Sequence, residues 1–149
     1  WEIEGHVSRV WFDVENIGDD EIKDLDLMMA VDPDQDYHPH GSFSTSNDVN
    51  DEGTVATSGG STSGRTLLFG ACDADAQVLG HTSPWSEDDD FIGMDYDGAA
   101  ADNAMNWGHR DVTIAAGEMA SFGFLVTVGE DVDEATEAYE ESLDVLCTD

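Results

Sequence analysis

Residues 8–31 read SRVWFDVENIGDDEIKDLDLMMAV, and this stretch decides the predicted fold. Residues 8–14 alternate in polarity and place two valines and a phenylalanine on one face, as a half-buried strand does. Residues 16–20, NIGDD, carry the asparagine and glycine that tight turns favour. Residues 25–31 alternate again, and Pro33 closes this second strand because proline cannot donate a ladder hydrogen bond. The stretch therefore predicts a strand-turn-strand unit.

Residues 32–53 are predicted to form an acidic loop with one short apolar interruption at Phe43. Further short strands follow along the chain, separated by glycine-rich turns. We predict them at residues 54–57, 65–71, 76–80, 112–115 and 119–128. Near the end of the chain, apolar residues recur at helical spacing after Asp131 and Glu134, which form a helix start signal. Short strands at regular spacing are typical of a β-sandwich. We therefore predict an all-β fold, an antiparallel β-sandwich with one C-terminal helix, as a single domain over residues 1–149 of a larger secreted protein.

The charge balance of the chain is extreme. There are 35 acidic side chains against four basic ones, for a formal net charge of -31. Self-repulsion of this size opposes the compact state, so either a salty medium or bound cations must offset it. The same charge argues against binding to nucleic acid, which needs a basic face, and we expect no direct membrane insertion. The expected partner is a cation, or an anion that reaches the protein through one.

A long irregular stretch over residues 81–110 is expected to be an ordered, functional loop, because structureless loops of this length are uncommon in compact domains. It carries Trp85 and Trp107, and the sequence Asp95-Tyr96-Asp97 places two carboxylates around an aromatic ring. Aromatic rings in exposed loops supply contact area for sugars or peptides. Alternatively, the tryptophans seal the loop onto the domain, and the sequence leaves both interpretations open.

The most specific candidate site is the segment 32–36, DPDQD, in which Asp32, Asp34 and Asp36 alternate where a strand ends. Several carboxylate oxygens that converge from a loop suit Ca²⁺, which takes six to eight oxygen ligands. The EF-hand glycine and distal glutamate are missing. The candidate completing ligands are Asn47 and Asp48, Asp73 and Asp75, or Asp95 and Asp97. In a chain this acidic, the alternative is one more solvated acidic patch.

The two cysteines, Cys72 and Cys147, form one possible pair. A disulfide between them suits an oxidising compartment and would pin the C-terminal segment to the middle of the domain; two buried thiols are the alternative. The common catalytic motifs of hydrolases, metalloproteases and nucleotide-binding enzymes are absent, and no carboxylate pair stands out from the others. We therefore expect a protein that is not an enzyme.

Residues 12–20, 22–25, 32–36 and 43–49 together resemble a β-sandwich module of large secreted bacterial proteins, in particular the calcium-dependent peptide-binding domain of RTX-type adhesins. The resemblance implies a ligand-recognition domain in which calcium, held by the Asp32, Asp34 and Asp36 segment, helps to capture a ligand carboxylate. The candidate ligand-binding residues of the whole chain are Tyr37, Thr45, Asn47, Trp85, Tyr96 and Trp107.

These observations favour an extracellular, Ca²⁺-dependent adhesion module that recognises a peptide or glycan on another surface. The alternative is a structural subunit of a surface layer or filament from a halophilic or marine organism, in which the acids keep the protein soluble in brine and the subunits self-assemble.

Overall fold

The computed structural model describes residues 2–4, 6–72, 77–82 and 100–147. Within them the chain forms nine strands, a one-turn helix and a C-terminal helix. Their bounds are β1 Glu2–Glu4, β2 Val7–Glu15, β3 Ile22–Val31, α1 Tyr37–His40, β4 Ser44–Val49, β5 Val55–Gly60, β6 Thr66–Ala71, β7 Gln77–Thr82, β8 Ala101–Ile114, β9 Met119–Gly129 and α2 Val132–Leu146. The predicted all-β class with a C-terminal helix is confirmed.

All strand pairings between described residues are antiparallel and belong to one sheet, with the order β1-β2-β9-β6-β5-β4-β8-β3. β7 pairs with β8 beside this path. The sheet curls into a half-barrel, and β8 joins β4 through only two residue pairs, Ser44 with Asp102 and Thr45 with Ala101. This short junction places the start of β8 against the start of β4.

The concave side of the curled sheet encloses the main apolar core. Trp107 of β8 lies edge-on to Phe12 of β2, with ring centroids 5.7 Å apart, and 4.9 Å from Phe124 of β9. Phe69 of β6 and Phe122 of β9 belong to the same cluster. The rings join strands that are far apart in the sequence, so burial of this apolar surface favours the curl.

Helix α2 covers the convex side of the sheet. Asp131 begins it as predicted, because its side chain accepts a hydrogen bond of 3.0 Å from the Glu134 N–H. Ala135, Tyr139 and Leu146 face inward and pack with Leu68 and Leu125 of the sheet. The Tyr139 hydroxyl donates a 3.0 Å hydrogen bond to the Ala71 carbonyl, so the phenol is satisfied although it is buried.

The predicted disulfide is confirmed: Cys72 and Cys147 are bonded, which ties the end of α2 to the residue after β6. The predicted irregular stretch over residues 81–110 is wrong at both ends, since β7 continues to Thr82 and β8 begins at Ala101. β8 is buried on both faces from Asn103 to His109 and contains polar residues at buried positions. Such a strand lacks the alternation of polarity on which strand prediction relies.

We expect Gly70→Ala to destabilise the fold by about 1–3 kcal/mol or more. The Tyr139 ring lies over Gly70 so closely that an added methyl group would overlap its carbon atoms. Gly59→Ala is the matched control, because the nearest atom to a methyl group there is Thr66 Oγ1 at an ordinary 3.6 Å. Urea unfolding of both variants tests this, and equal stability would contradict the packing of α2 on β6.

Candidate metal centre and the surface beside it

The segment 32–36 leaves β3 and folds tightly on itself. The Gln35 N–H donates to the Pro33 carbonyl at 2.9 Å, and the Tyr37 N–H donates to the Asp34 carbonyl at 3.1 Å. α1 follows at once and ends at Gly41, whose positive φ of 68° suits a residue without a side chain. The turn holds the acidic side chains at the edge of the sheet, close to the exit of β3.

Three carboxylates converge at this edge. Asp32, Asp34 and Asp102 each offer an oxygen, and these oxygens lie within 4.8 Å of one another. The pairing of β3 with β8 ends at Val31 opposite Met105, so residues that follow β3 run level with residues that precede Met105 in β8. This register brings Asp102, about seventy residues away in sequence, to the DPDQD segment.

The three carboxylates, which we call the acidic triad, are in an unfavourable electrostatic environment. Burial raises the pKa of Asp32, and the charges of Asp34 and Asp102 raise it further. Burial and the Asp102 charge likewise raise the pKa of Asp34, whose Oδ1 atom is buried without a hydrogen-bond partner. Repulsion between the ionised forms therefore adds to the effect of burial in both shifts, although Asp32 and Asp102 are exposed and Asp34 is half-buried.

Three of the four basic side chains have partners outside the acidic triad. Lys23 pairs with Glu21 at 2.7 Å, Arg65 pairs with Glu130 at 3.3 Å, and the Arg9 guanidinium lies 4.5 Å from the centre of the Trp11 ring. None of these three neutralises the acidic triad. A hard cation with oxygen ligands would do so, and Ca²⁺ accepts carboxylate oxygens in flexible geometry and completes its shell with water or ligand oxygens.

Two exposed aromatic rings lie in the segment that follows Asp34 in the chain. Tyr37 and Phe43 stack with centroids 4.6 Å apart and an interplanar angle of 27°. They are 46% and 47% exposed, respectively. His38 meets the Tyr37 ring edge-on at 5.5 Å. Exposed rings that are already held in place offer contact area to a ligand at low entropic cost.

Two predicted metal ligands lie elsewhere. Asp36 is buried, and its Oδ2 accepts hydrogen bonds from the backbone N–H groups of Thr62 at 2.7 Å and Ser63 at 3.1 Å. Hydrogen bonds from the Ser63 side chain and from these N–H groups lower the pKa of Asp36, against the effect of burial. Asp48 is exposed on β4, and its side chain accepts from the Val49 N–H at 3.0 Å. The acidic triad, found among the described residues, includes neither.

Two predicted ligand-binding residues are buried in the sheet. Thr45 and Asn47 are both 1% exposed on β4, and Asn47 Nδ2 donates to the Ala104 carbonyl at 3.0 Å. Neither side chain can therefore contact a ligand at the outer surface of the protein. They alternate with the exposed residues Ser46 and Asp48, a strand period that was not recognised in a stretch predicted to be a loop.

Trp107 was predicted to lie in the long loop over residues 81–110. It lies in strand β8 and not in a loop, and it is 0% exposed at the centre of the main core, so it cannot contact a ligand at the surface. Trp85, Asp95, Tyr96 and Asp97 lie outside the described residues, as do Asp73 and Asp75. Tyr37 is exposed, and its backbone N–H bonds to the Asp34 carbonyl.

The sequence analysis missed Asp102 as a member of the acidic triad and Phe43 as a member of the exposed ring pair. Phe43 stood out only as an apolar residue in an acidic stretch, whereas Asp102 carried no local signal among 35 acids. Comparison with known proteins gives no further guidance, because the chain matches no protein-family model and no curated protein sequence. Among the described residues, no helix is both long and apolar enough to cross a membrane.

The acidic triad predicts a specific pH dependence without divalent metal. Because their folded-state pKa values are raised, Asp32 and Asp34 favour the fold below their ordinary pKa, and this contribution is lost as pH rises through the raised values. We therefore expect Asp32→Asn/Asp34→Asn to be more stable than the unmodified chain at neutral pH in EGTA. The free energies of unfolding of the two proteins should become equal below about pH 4.

Urea unfolding across this pH range measures the difference. Asp36, whose pKa is lowered, loses its contribution as pH falls, but it is present in both proteins and cancels. A difference that does not change with pH would contradict the assigned repulsion.

Proposed function

We propose that this chain is an extracellular, Ca²⁺-dependent ligand-binding module that serves in adhesion. Calcium binds at Asp32, Asp34 and Asp102, and the ligand is a peptide or glycan that carries a carboxylate. The observation that carries this proposal is the convergence of the three carboxylates from two distant parts of the chain. The exposed, stacked rings of Tyr37 and Phe43 follow Asp34 in the same segment of the chain, and the Tyr37 N–H donates to the Asp34 carbonyl.

Charge supports a bridging role for the metal. A chain with a net charge of -31 repels an anionic ligand, and a divalent ion held at the surface reverses the local field. The triad supplies only some of the six to eight oxygens that calcium takes. Its remaining positions are open to water or to a ligand carboxylate, while the stacked rings contact the neighbouring part of the ligand.

The extracellular assignment rests on the disulfide, which persists in oxidising compartments. We also assign the curled sheet to the β-sandwich modules that the sequence resembles, with β3, β7 and β8 folded over the remaining strands. In that arrangement the two halves meet through β4 and β8, and Asp102 of the acidic triad pairs with Ser44 at this junction.

A binding experiment on defined probes tests the proposal. We expect binding to immobilised peptides with a free C-terminal carboxylate, or to acidic glycans, in calcium chloride but not in EGTA. Tyr37→Ala/Phe43→Ala should weaken binding at least tenfold while the calcium-dependent rise in melting temperature remains. Ile17→Ala, at a residue 89% exposed on the β2–β3 turn, is the matched control. Peptide amides should bind poorly, and calcium-independent binding would contradict the proposal.

The second candidate is a structural subunit of a surface layer or filament. Among the described strands, the sheet path ends at β1 and β3, and such edge strands can pair with another chain. This candidate predicts that purified protein self-assembles and that its stability follows total salt, with no special effect of calcium. Light scattering in sodium chloride and calcium chloride at equal ionic strength separates the two functions.

A further inference from the structure

A group of buried oxygen atoms lies on the concave face of the sheet, between the DPDQD segment and strands β4 and β5. Five side-chain oxygens there are buried without a hydrogen-bond partner. They are Gln35 Oε1, Asp36 Oδ1, Thr45 Oγ1, Asn47 Oδ1 and Ser58 Oγ. Thr45, Asn47, Ser58 and Asp36 are at most 1% exposed. Buried polar atoms almost always have partners, so a whole group without them indicates a binding site.

Strand register brings these side chains together. In the β4–β5 pair, Thr45 lies opposite Gly60, and Asn47 lies opposite Ser58. The Asp36 carboxyl group lies over Gly60, since a methyl group added there would be 2.8–2.9 Å from its atoms. Asp36 therefore fills the place of a side chain at position 60 and faces Thr45 across the pair. Side chains directly opposite in a sheet are about 5 Å apart at Cβ. Asp36 can therefore share a bound atom with Thr45, and Asn47 with Ser58, and these two pairs are neighbours on the same face of the strands.

The orientation of the amide groups is determined by their other contacts. Gln35 Nε2 donates to the Ser58 carbonyl at 2.5 Å, and Asn47 Nδ2 donates to the Ala104 carbonyl at 3.0 Å. Both amides therefore use their nitrogen elsewhere and leave their oxygen in the group. The Thr62 and Ser63 N–H groups both donate to Asp36 Oδ2, and Asp36 Oδ1 has no hydrogen-bond partner. What remains is a carboxylate oxygen, two amide oxygens and two hydroxyls, all of which can ligate a hard cation.

We propose that Gln35, Asp36, Thr45, Asn47 and Ser58 bind a dehydrated monovalent metal cation, Na⁺ or K⁺, inside the half-barrel. Asp36 is the sole ionisable side chain of the five, so the group carries a single negative charge. A buried site favours an ion that leaves no net charge, and a monovalent cation meets this condition. The cation joins the segment after β3 to the middle of β4 and β5, next to the acidic triad but separate from it. Its binding is independent of the proposed calcium site.

Two substitutions that remove a single oxygen test the proposal, Thr45→Val and Ser58→Ala. If the hydroxyls have no bound partner, deleting them removes an unsatisfied buried group, and both variants should be as stable as the unmodified chain or more so in every salt. If they ligate a cation, the unmodified chain should melt several degrees higher in sodium or potassium chloride than in choline chloride of equal ionic strength, all with EGTA. The variants should lose most of that rise.

Thr57→Val and Ser46→Ala are the matched controls. They lie next to Ser58 and Asn47 on the opposite face of the same strands, and they should keep the full response to the alkali cation. Asp34→Asn/Asp102→Asn should keep it as well, which separates this site from the calcium site.

Three outcomes would overturn the proposal. Equal melting temperatures in choline and alkali salts would exclude a bound cation. An equal loss of stability in all salts for Thr45→Val and Ser58→Ala would assign the group to an internal water molecule. A rise in melting temperature that occurs only in calcium chloride, and that Thr45→Val and Ser58→Ala both abolish, would show that the site binds a divalent ion.

Discussion

Calcium chloride is expected to raise the melting temperature of this chain by about 5–10 °C once free calcium is about a hundredfold above its dissociation constant. A single site at that saturation adds about 2.7 kcal/mol to the free energy of unfolding. For a chain of this length, each kcal/mol corresponds to about 2–4 °C. Sodium chloride at the same ionic strength should not reproduce the effect, because general screening does not occupy the acidic triad.

The variant Asp34→Asn/Asp102→Asn should abolish the rise and reverse the order of stability. In EGTA it should melt above the unmodified chain, because two charges that repel each other and Asp32 are gone. In calcium chloride it should melt at a lower temperature than the unmodified chain. Glu137→Gln/Glu141→Gln, which removes two exposed charges from α2, controls for the change in net charge and should keep the calcium response.

Differential scanning calorimetry of the three proteins, in calcium and in EGTA, measures the calcium-dependent change in melting temperature. An equal calcium response in all three would mean that the ion binds elsewhere, and the proposed metal centre would have to be abandoned. Isothermal titration of calcium into the metal-free chain gives the affinity independently of stability.

Removal of the disulfide is expected to lower the free energy of unfolding by about 4 kcal/mol. The bond spans 75 residues, and in the chain-entropy model a loop of this length restricts the unfolded chain strongly. Cys72→Ala/Cys147→Ala should therefore melt roughly 10 °C lower, measured in calcium so that the metal centre is the same in both proteins.

The reductant TCEP supplies the control for this prediction. It should lower the melting temperature of the unmodified chain towards that of the variant and leave the variant unchanged. Hydrogen exchange should show the greatest loss of protection in the last turns of α2, where Leu143 and Leu146 pack beside the bond. Melting temperatures within a degree of each other would show that packing of α2 alone holds this end of the chain.

The sequence analysis succeeded where a structural feature depends on near neighbours in the chain. The alternation in β2 and β3, and the start of α2 at Asp131, can be recognised because a strand repeats every two residues and a capping bond spans three. The disulfide followed because the chain has only one pair of cysteines.

The sequence analysis failed where the burial of a residue depends on strands that are distant in the chain. Thr45, Asn47 and Trp107 were assigned to loops, yet each is buried in a strand. Both faces of the middle of β8 are covered, and the inward positions of β4 carry polar side chains, so neither strand shows the usual alternation of polarity.

By itself, the sequence determined the all-β class, the C-terminal helix, the cysteine pair and the large negative charge. Only the tertiary structure decided which acids meet: Asp102 joins Asp32 and Asp34, whereas Asp36 turns inward to Thr62 and Ser63. The physical reason is that periodicity and charge are summed along the chain, whereas a site is formed by the register between strands. That register depends on how the whole sheet curls around its core.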